Sequence, residues 1–216
     1  FSRYPRTLPE DLEKCTAHGV DVVFAPAADD MYPDGFSTHV EVVGVTAPLE
    51  GAFRPGHFRG VTTVVAKLFN LTGKCVAVFG RKDYQQWQTI TRMVRDLDMP
   101  VSVIGMRTVR EPDGLALSSR NRYLSSGERE GALAIARGLR SANAAYAGGE
   151  RSASVIEALV RAPIAEVFDG IDYVAARDPE TLAELDDGAA RIVVVVAARI
   201  GKTRLIDNAV LGEDVV

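Results

Sequence analysis

A glycine, a lysine and an aspartate mark the first segment of this sequence that could bind an anion. They are Gly80, Lys82 and Asp83, and the apolar run Cys75–Phe79 precedes them. A helix start presents free N–H groups and partial positive charge, and ligands of doubly wound sheets bind beyond the carboxyl ends of the strands. We therefore predict an anion site in which Lys82 supplies charge and Asp83 accepts from a ribose hydroxyl or holds a metal. The alternative is that Asp83 only caps the helix, with Gln86 completing a capping box.

A second candidate anion site lies in the polar segment Leu117–Arg122, which contains two serines and two arginines. The guanidinium of Arg120 can bind two phosphate oxygens at once, and the hydroxyls of Ser118 and Ser119 can donate beside it. This composition favours a phosphate-binding loop. A solvated loop between two domains is the alternative interpretation.

The other reactive side chains give weaker signals. His57 stands in a glycine-rich loop before a helix, where a structural or capping role is more common than catalysis. The sequence has no Cys/His metal cluster, no Walker loop and no G-x-S-x-G motif. Cys15 and Cys75 are expected to be unpaired thiols in a reducing cytosol.

Strands and helices that could position these segments alternate in the first half of the chain. Between the predicted strands, apolar residues recur at helical spacing over 61–69 and 90–97. Strands that are apolar throughout are typical of a parallel sheet covered on both faces. The predicted strands are Val20–Ala25, His39–Val45, Cys75–Phe79 and Val101–Ile104.

The second half has an α+β pattern. Ser126 is the predicted cap of a long helix that ends at Gly148, and a second helix covers about Ser152–Val167. Three strands follow, the last two joined by a tight turn at Gly201 and Lys202; they are Ile171–Ala175, Arg191–Arg199 and Thr203–Val210. We place a domain boundary near Arg107–Arg110, which gives an α/β domain over 1–108 and a smaller α+β domain over 109–216.

The composition excludes several kinds of partner. The 216 residues include 25 Lys and Arg against 29 Asp and Glu, a net charge of −4, so no overall field attracts nucleic acid or an anionic membrane. No apolar run approaches the roughly 18 residues that cross a bilayer, and the first residues do not resemble a signal peptide. We therefore expect a cytoplasmic protein without nucleic-acid or membrane partners.

Several long motifs resemble the pantothenate synthetase (pantoate–β-alanine ligase) family from one end of the chain to the other. The matching segments are Tyr4–Thr7, Leu49–Val61, Lys67–Asn70, Phe79–Gln86, Asp113–Leu124 and Arg204–Asn208. The resemblance implies the nucleotidyltransferase superfamily, with a Rossmann-like N-terminal domain, a smaller C-terminal lid domain and a homodimer. It also implies a reaction with ATP and Mg²⁺: the pantoate carboxylate attacks the α-phosphorus, and β-alanine then displaces AMP from pantoyl adenylate.

The same resemblance implies roles for individual residues. Lys82 and Arg120 are the expected catalytic cations, and Gln86 is expected to hold pantoate. Val109 is expected beside the adenine, and the family's mobile phosphate clamp falls on Leu117–Arg120. The expected ATP-binding residues are Gly80, Arg81, Lys82, Asp83, Val109, Leu117, Ser118, Ser119 and Arg120.

One family motif has no counterpart in this chain. The family's N-terminal segment carries a His-x-Gly-His-like motif that contacts ATP, whereas His18, His39 and His57 match other family positions. The first expectation is a ligase whose sequence here lacks the two N-terminal βα units. The alternatives are a catalytically silent fragment that binds nucleotide weakly, and a structural fragment that self-associates through an exposed sheet edge.

Overall fold

The computed structural model describes residues 7–185, 188–214 and 216, which fall into two compact units divided between Thr38 and His39. The described part of the first unit contains α1 (Leu8–Ala17) and α2 (Ala28–Met31). The strand predicted at Val20–Ala25 is wrong: no strand forms there, and Phe24 is 59% exposed. A strand needs a neighbour for its backbone hydrogen bonds, and none of the described residues of this unit forms such a ladder.

The second unit contains a pair of parallel strands, β1 (Cys75–Gly80) and β2 (Val101–Met106). Two helices, α4 (His57–Thr72) and α5 (Tyr84–Asp96), pack their apolar residues against one face of this pair. Among the described residues, the predicted cover on the second face is not seen, because Val76 and Val78 of β1 are more than half exposed. Burial therefore alternates along both strands, although their sequences are apolar throughout.

Threonine side chains replace the predicted strand at His39–Val45. The Val40 N–H donates to Thr63 Oγ1 at 3.0 Å, and Thr62 Oγ1 donates to the Val40 carbonyl at 2.6 Å. Both threonines belong to α4. The Val40 backbone is thus satisfied without a sheet, and no strand forms at 39–45.

An antiparallel sheet occupies the C-terminal part, in the order β3 (Gly170–Arg177), β4 (Val193–Ile200), β5 (Thr203–Val210). One face packs on α6 (Ser126–Ala147) and α7 (Ala153–Ala165). On the other face, Val193 and Val210 pack with Leu49 and Tyr84, so the start of α5 lies against this sheet. The α/β fold with a separate α+β C-terminal part is confirmed, and the domain boundary near 108 stays a prediction.

The turns and caps that end these elements lie at or next to the positions predicted from the sequence. Gly201 takes a φ of +54° in the β4–β5 hairpin, and Gly148 ends α6. The cap of α6 is Ser125 rather than Ser126: its hydroxyl accepts from the Glu128 N–H at 3.3 Å, and the Glu128 carboxylate accepts from the Ser125 N–H at 2.8 Å. None of the described helices is long and apolar enough to cross a membrane.

Candidate functional site

A cleft of about 210 Å³ in the second unit brings the two predicted anion-binding segments together. Its walls come from α3 (Glu50–Phe53), the turn before α5, the segment after Leu115, and β5. Basic side chains come from four separate parts of the chain, so the cleft suits a multiply charged anion. Its charged and polar lining residues are Glu50, Arg54, Lys82, Asp83, Ser118, Arg120, Asn121, Arg204 and Asp207.

The first anion-binding segment forms a 3₁₀ turn, Arg81–Asp83, between β1 and α5. Lys82 and Asp83 line the cleft, and Lys82 has no ion pair with any described residue. Asp83 is the N-cap residue of α5, but its side chain makes no capping hydrogen bond. The capping-box alternative is therefore wrong, and the Asp83 carboxylate remains available to a ligand.

Gly80 and Arg81 are placed differently from Lys82. Gly80 is exposed at the end of β1 with a φ of −77°, a conformation open to any residue. The Arg81 guanidinium donates to Asp214 Oδ1 at 2.6 Å and stands 6.0 Å from the centre of the Trp87 ring. Since this side chain is already paired, a ligand at the turn would meet the backbone of Arg81.

The two neighbouring glutamines of α5 differ in burial. Gln85 is 5% exposed; its amide donates to the carbonyls of Val45 and Pro48, and its Oε1 accepts from the Glu50 N–H at 3.0 Å. Gln86, the expected pantoate ligand, is half-buried and is not among the residues that line the cleft. Sequence reasoning missed Gln85, although it shares the buried face of α5 with Gln88 and Thr89.

The second anion-binding segment leads into a 3₁₀ helix, Ser119–Tyr123. Ser118 caps this helix by accepting from the Arg120 N–H at 3.3 Å, and both residues line the cleft. Leu117 and Val109 are more than half exposed and are joined by a backbone hydrogen bond of 2.9 Å. Ser119 is also exposed, and neither it nor Leu117 and Val109 is among the residues that line the cleft.

Polar contacts anchor the base of this segment. Arg110 and Ala116 form an antiparallel bridge, and the Glu111 N–H donates to the Leu115 carbonyl at 2.8 Å. The Asn121 amide donates to Glu111 Oε1 at 2.7 Å and to the Ala116 carbonyl at 3.1 Å. The base is therefore held in place, while Leu117 and Ser119 at the tip are exposed to solvent.

A buried carboxylate, Glu50, forms a cluster that the sequence did not indicate. Arg204 of β5 donates to both of its oxygens, at 3.0 and 2.5 Å, and Tyr173 Oη donates to Oε1 at 2.8 Å. Arg204 also donates to Asp172 Oδ2 at 2.6 Å. Glu50, the adjacent pair Asp172 and Tyr173, and Arg204 come from three distant parts of the sequence, so local spacing gives no signal. The Leu49–Val61 and Arg204–Asn208 motifs contain Glu50 and Arg204 but do not indicate that the two meet.

Burial and hydrogen bonding act in opposite directions on the carboxylates of the cleft. Burial alone would raise the pKa of Glu50, but the donors Arg204 and Tyr173 outweigh it and lower the pKa. Burial and the adjacent Glu50 charge raise the pKa of the Tyr173 hydroxyl. Burial also raises the pKa of Asp207, although its partner Arg110 opposes the shift.

His57 lies at the first position of α4, after Gly56 with its left-handed φ of +76°. Burial and the Arg54 charge lower the pKa of His57, which favours the neutral imidazole at pH 7. His57 is not among the cleft-lining residues, so its catalytic alternative gains no support. Within the described ranges, no group of three His, Cys, Asp or Glu side chains could hold a metal ion.

The structure thus defines an α/β protein with a parallel strand pair, an antiparallel sheet and a cleft lined by basic residues. The family model for pantoate-beta-alanine ligase matches residues 1–210, and the chain belongs to this family. It is a ligase by family, and its parallel part corresponds to a Rossmann-like domain.

Named relatives agree with this assignment. The chain is 53% identical to pantothenate synthetase of Geobacter sulfurreducens over 99% of its length and 76% of the relative's. It is 51% identical to pantothenate synthetase of Moorella thermoacetica, over 98% of this chain and 75% of that protein.

Solved structures of the family have the same fold. Pantothenate synthetase from Thermus thermophilus superposes with a TM-score of 0.90 at 47% identity, covering 96% of this chain and 75% of the other. Pantoate-beta-alanine ligase from Francisella tularensis, solved in complex with beta-gamma ATP and β-alanine, superposes with a TM-score of 0.73 at 32% identity. That match covers 98% of this chain and 72% of the other.

Proposed function

We propose that the protein condenses pantoate with β-alanine at the expense of ATP, through a pantoyl-adenylate intermediate. One observation carries the proposal: Lys82 and Asp83 line the same cleft as Ser118 and Arg120. A lysine, an arginine, a hydroxyl and a carboxylate in one cleft suit a nucleoside triphosphate. The ATP and β-alanine in the Francisella tularensis relative agree with these substrates.

The reaction would proceed in two displacements. A carboxylate oxygen of pantoate attacks the α-phosphorus, the bond to the β-phosphate oxygen breaks, and pyrophosphate leaves with its electron pair. The ammonium group of β-alanine loses a proton, and the resulting amine attacks the acyl carbon. AMP departs with the electron pair of the acyl–oxygen bond, and a second N–H proton passes to solvent as the amide forms. Neither step needs a covalent bond to the protein, so catalysis depends on position and on charge stabilisation.

Each segment has a proposed task in the first displacement. Lys82 and Arg120 stabilise negative charge on the phosphates, and the hydroxyls of Ser118 and Ser119 donate beside them. Gly80, Arg81 and Asp83 contribute the turn before α5, where the Arg81 side chain stays paired with Asp214. Val109 and Leu117 provide apolar surface near the adenine. Gln86 holds pantoate.

Mg²⁺ fits this cleft as a companion of ATP. This ion keeps several waters and binds through phosphates and one or two carboxylates, so a cage of protein ligands is unnecessary. Asp83 would hold it, since its side chain makes no capping hydrogen bond, whereas the Glu50 carboxylate is already bonded to Arg204 and Tyr173. When bound, the ion would neutralise phosphate charge during adenylation.

Isotope exchange between pyrophosphate and ATP tests the first displacement alone. We expect exchange that requires pantoate and Mg²⁺, does not require β-alanine, and falls strongly in Lys82→Ala. Exchange without pantoate, or none with all substrates present, would contradict the proposal. The second outcome would revive the hypothesis of a silent fragment, which the named relatives do not favour.

We also propose a homodimer, following the family resemblance. Sedimentation equilibrium tests this proposal. A mass of about 23 kDa would contradict it, since one chain has a mass of 23.3 kDa.

A further inference from the structure

We propose that two adjacent residues of β5, Asp207 and Asn208, are positioning residues that fix the distance between the two phosphate-binding segments. The inference rests on the proposed function, since it assigns a purpose to the spacing between Lys82 and Ser118–Arg120. Both residues are at most 5% exposed. Burial of polar side chains in a strand is costly unless their hydrogen bonds are satisfied.

Asn208 holds the first segment. Its Nδ2 donates to the carbonyl of Arg81 at 2.9 Å and to the carbonyl of Lys82 at 2.8 Å. These carbonyls belong to the 3₁₀ turn that carries the Lys82 side chain to the cleft. The two hydrogens of the Asn208 amide therefore hold two successive carbonyls of the turn.

Asp207 holds the second segment. Its two oxygens accept from Arg110 Nη1 at 2.7 Å and from Nη2 at 3.0 Å, a bidentate pair. Arg110 Nη1 also donates to the Gly114 carbonyl at 3.1 Å, and Arg110 forms the bridge with Ala116. The chain then continues directly into Leu117–Arg120, so the arginine anchors the base of the proposed clamp.

The two contacts are coupled because they start from adjacent residues of β5, which pairs with β4 along its whole length. Asp207 pairs with Val196 and Asn208 with Val195 in the register with β4. Successive side chains of a strand point to opposite faces, so Asp207 and Asn208 reach the two segments from opposite sides of the sheet. The Asn208 N–H donates to Asp207 Oδ1 at 2.8 Å, which joins the two anchors directly. A single peptide unit thus sets the spacing of the phosphate site.

Calorimetric titration of the full chain with MgATP and with adenosine tests this role. In Asn208→Ala, we expect the affinity for MgATP to fall about tenfold, a change of ~1.4 kcal/mol, while the affinity for adenosine is unchanged. If Asn208 acts through Lys82, the Lys82→Ala substitution lowers the MgATP affinity less in the Asn208→Ala variant than in the wild-type chain. Additive effects would show that Asn208 does not act through Lys82 and would overturn this assignment.

Gln88→Ala is the matched control. Gln88 is also a buried side-chain amide, and it donates to the Pro179 carbonyl at 2.6 Å, outside the cleft. We expect this substitution to lower the midpoint of thermal unfolding about as much as Asn208→Ala, with MgATP affinity within about twofold of wild type. An equal loss of MgATP affinity in both variants would mean a merely structural role for Asn208.

Asp207→Asn tests the other anchor, and Asn208→Ser replaces Asn208→Ala if that variant does not fold. We expect Asp207→Asn to weaken MgATP binding non-additively with Arg120→Ala.

If Lys82→Ala weakens MgATP binding but the Asn208 and Asp207 variants do not, the positioning role is wrong and the proposed function stands. If the wild-type chain binds no MgATP, or Lys82→Ala leaves binding unchanged, both proposals fail.

Discussion

Arg204 of β5 donates to both carboxylate oxygens of Glu50 in α3 and to Asp172 in β3, so one guanidinium joins three elements at the edge of the cleft. Tyr173 completes the cluster with a hydrogen bond to Glu50. Because the carboxylate is buried, these donors decide whether it remains charged, and the stability of the cluster depends on pH.

The Glu50 cluster predicts a loss of stability in acid. Its folded pKa lies below the ordinary 4.5, so as pH falls the unfolded state takes up the proton first. The free energy of unfolding therefore falls as pH drops below about 4.5, and the contribution is fully present above it. We expect Glu50→Gln to be less stable at pH 7 and to show a shallower decline between about pH 5 and pH 3, measured by urea denaturation.

The matched control for this pH effect is Glu166→Gln, at an exposed position where α7 ends. Its acid decline should parallel that of the wild-type chain. A Glu50→Gln variant with the wild-type slope would contradict the role assigned to the cluster.

Lys82 and Gln86 should give separable defects. The charge of Lys82 is most useful where negative charge develops on the phosphates, so Lys82→Ala should slow adenylation by roughly 10²–10³-fold with little effect on pantoate affinity. Gln86→Ala should instead weaken pantoate binding most. Single-turnover kinetics at varied pantoate distinguish the two, and interchangeable defects would show that the roles are misassigned.

Elements with a local signal could be predicted from the sequence. Apolar periodicity identified α4 and α5, and the hairpin glycine Gly201 marked the β4–β5 turn. The region His39–Val45 was mispredicted because the side chains of Thr62 and Thr63, not a strand, satisfy the Val40 backbone. An apolar alternation cannot indicate which groups will complete the backbone hydrogen bonds.

The candidate site could be predicted only where its residues carry a local signal. The segments of Lys82 and Ser118–Arg120 carry short motifs whose chemistry can be interpreted locally. Glu50 and Arg204 gain their meaning only from a contact across the fold, which spacing cannot indicate. Gln85 was missed because neighbouring glutamines look alike until the buried face of α5 is known.

The buried pair Arg110–Asp207 predicts a large and asymmetric cost of breaking it. The Asp207 side chain is only 5% exposed. Arg110→Met leaves its carboxylate without the bidentate partner. Removing one partner of a buried pair typically costs about 3–5 kcal/mol, whereas exposed pairs contribute about 0–1 kcal/mol. We therefore expect a large drop in the urea midpoint for Arg110→Met and little change for Arg92→Met, whose pair with Asp96 is about half exposed. Equal shifts would contradict the buried role.

Two adjacent serines at the start of α6 provide the last prediction. Ser125 accepts from the Glu128 N–H and its own N–H donates to the Glu128 carboxylate, whereas Ser126 is the first residue inside the helix. Loss of a cap typically costs about 1 kcal/mol, whereas alanine has a higher intrinsic helix propensity than serine. Ser125→Ala should therefore lower the free energy of unfolding by about 1 kcal/mol, and Ser126→Ala should leave it unchanged or slightly higher. Urea denaturation of the two variants side by side tests the assignment, and a larger loss in Ser126→Ala would restore Ser126 as the cap.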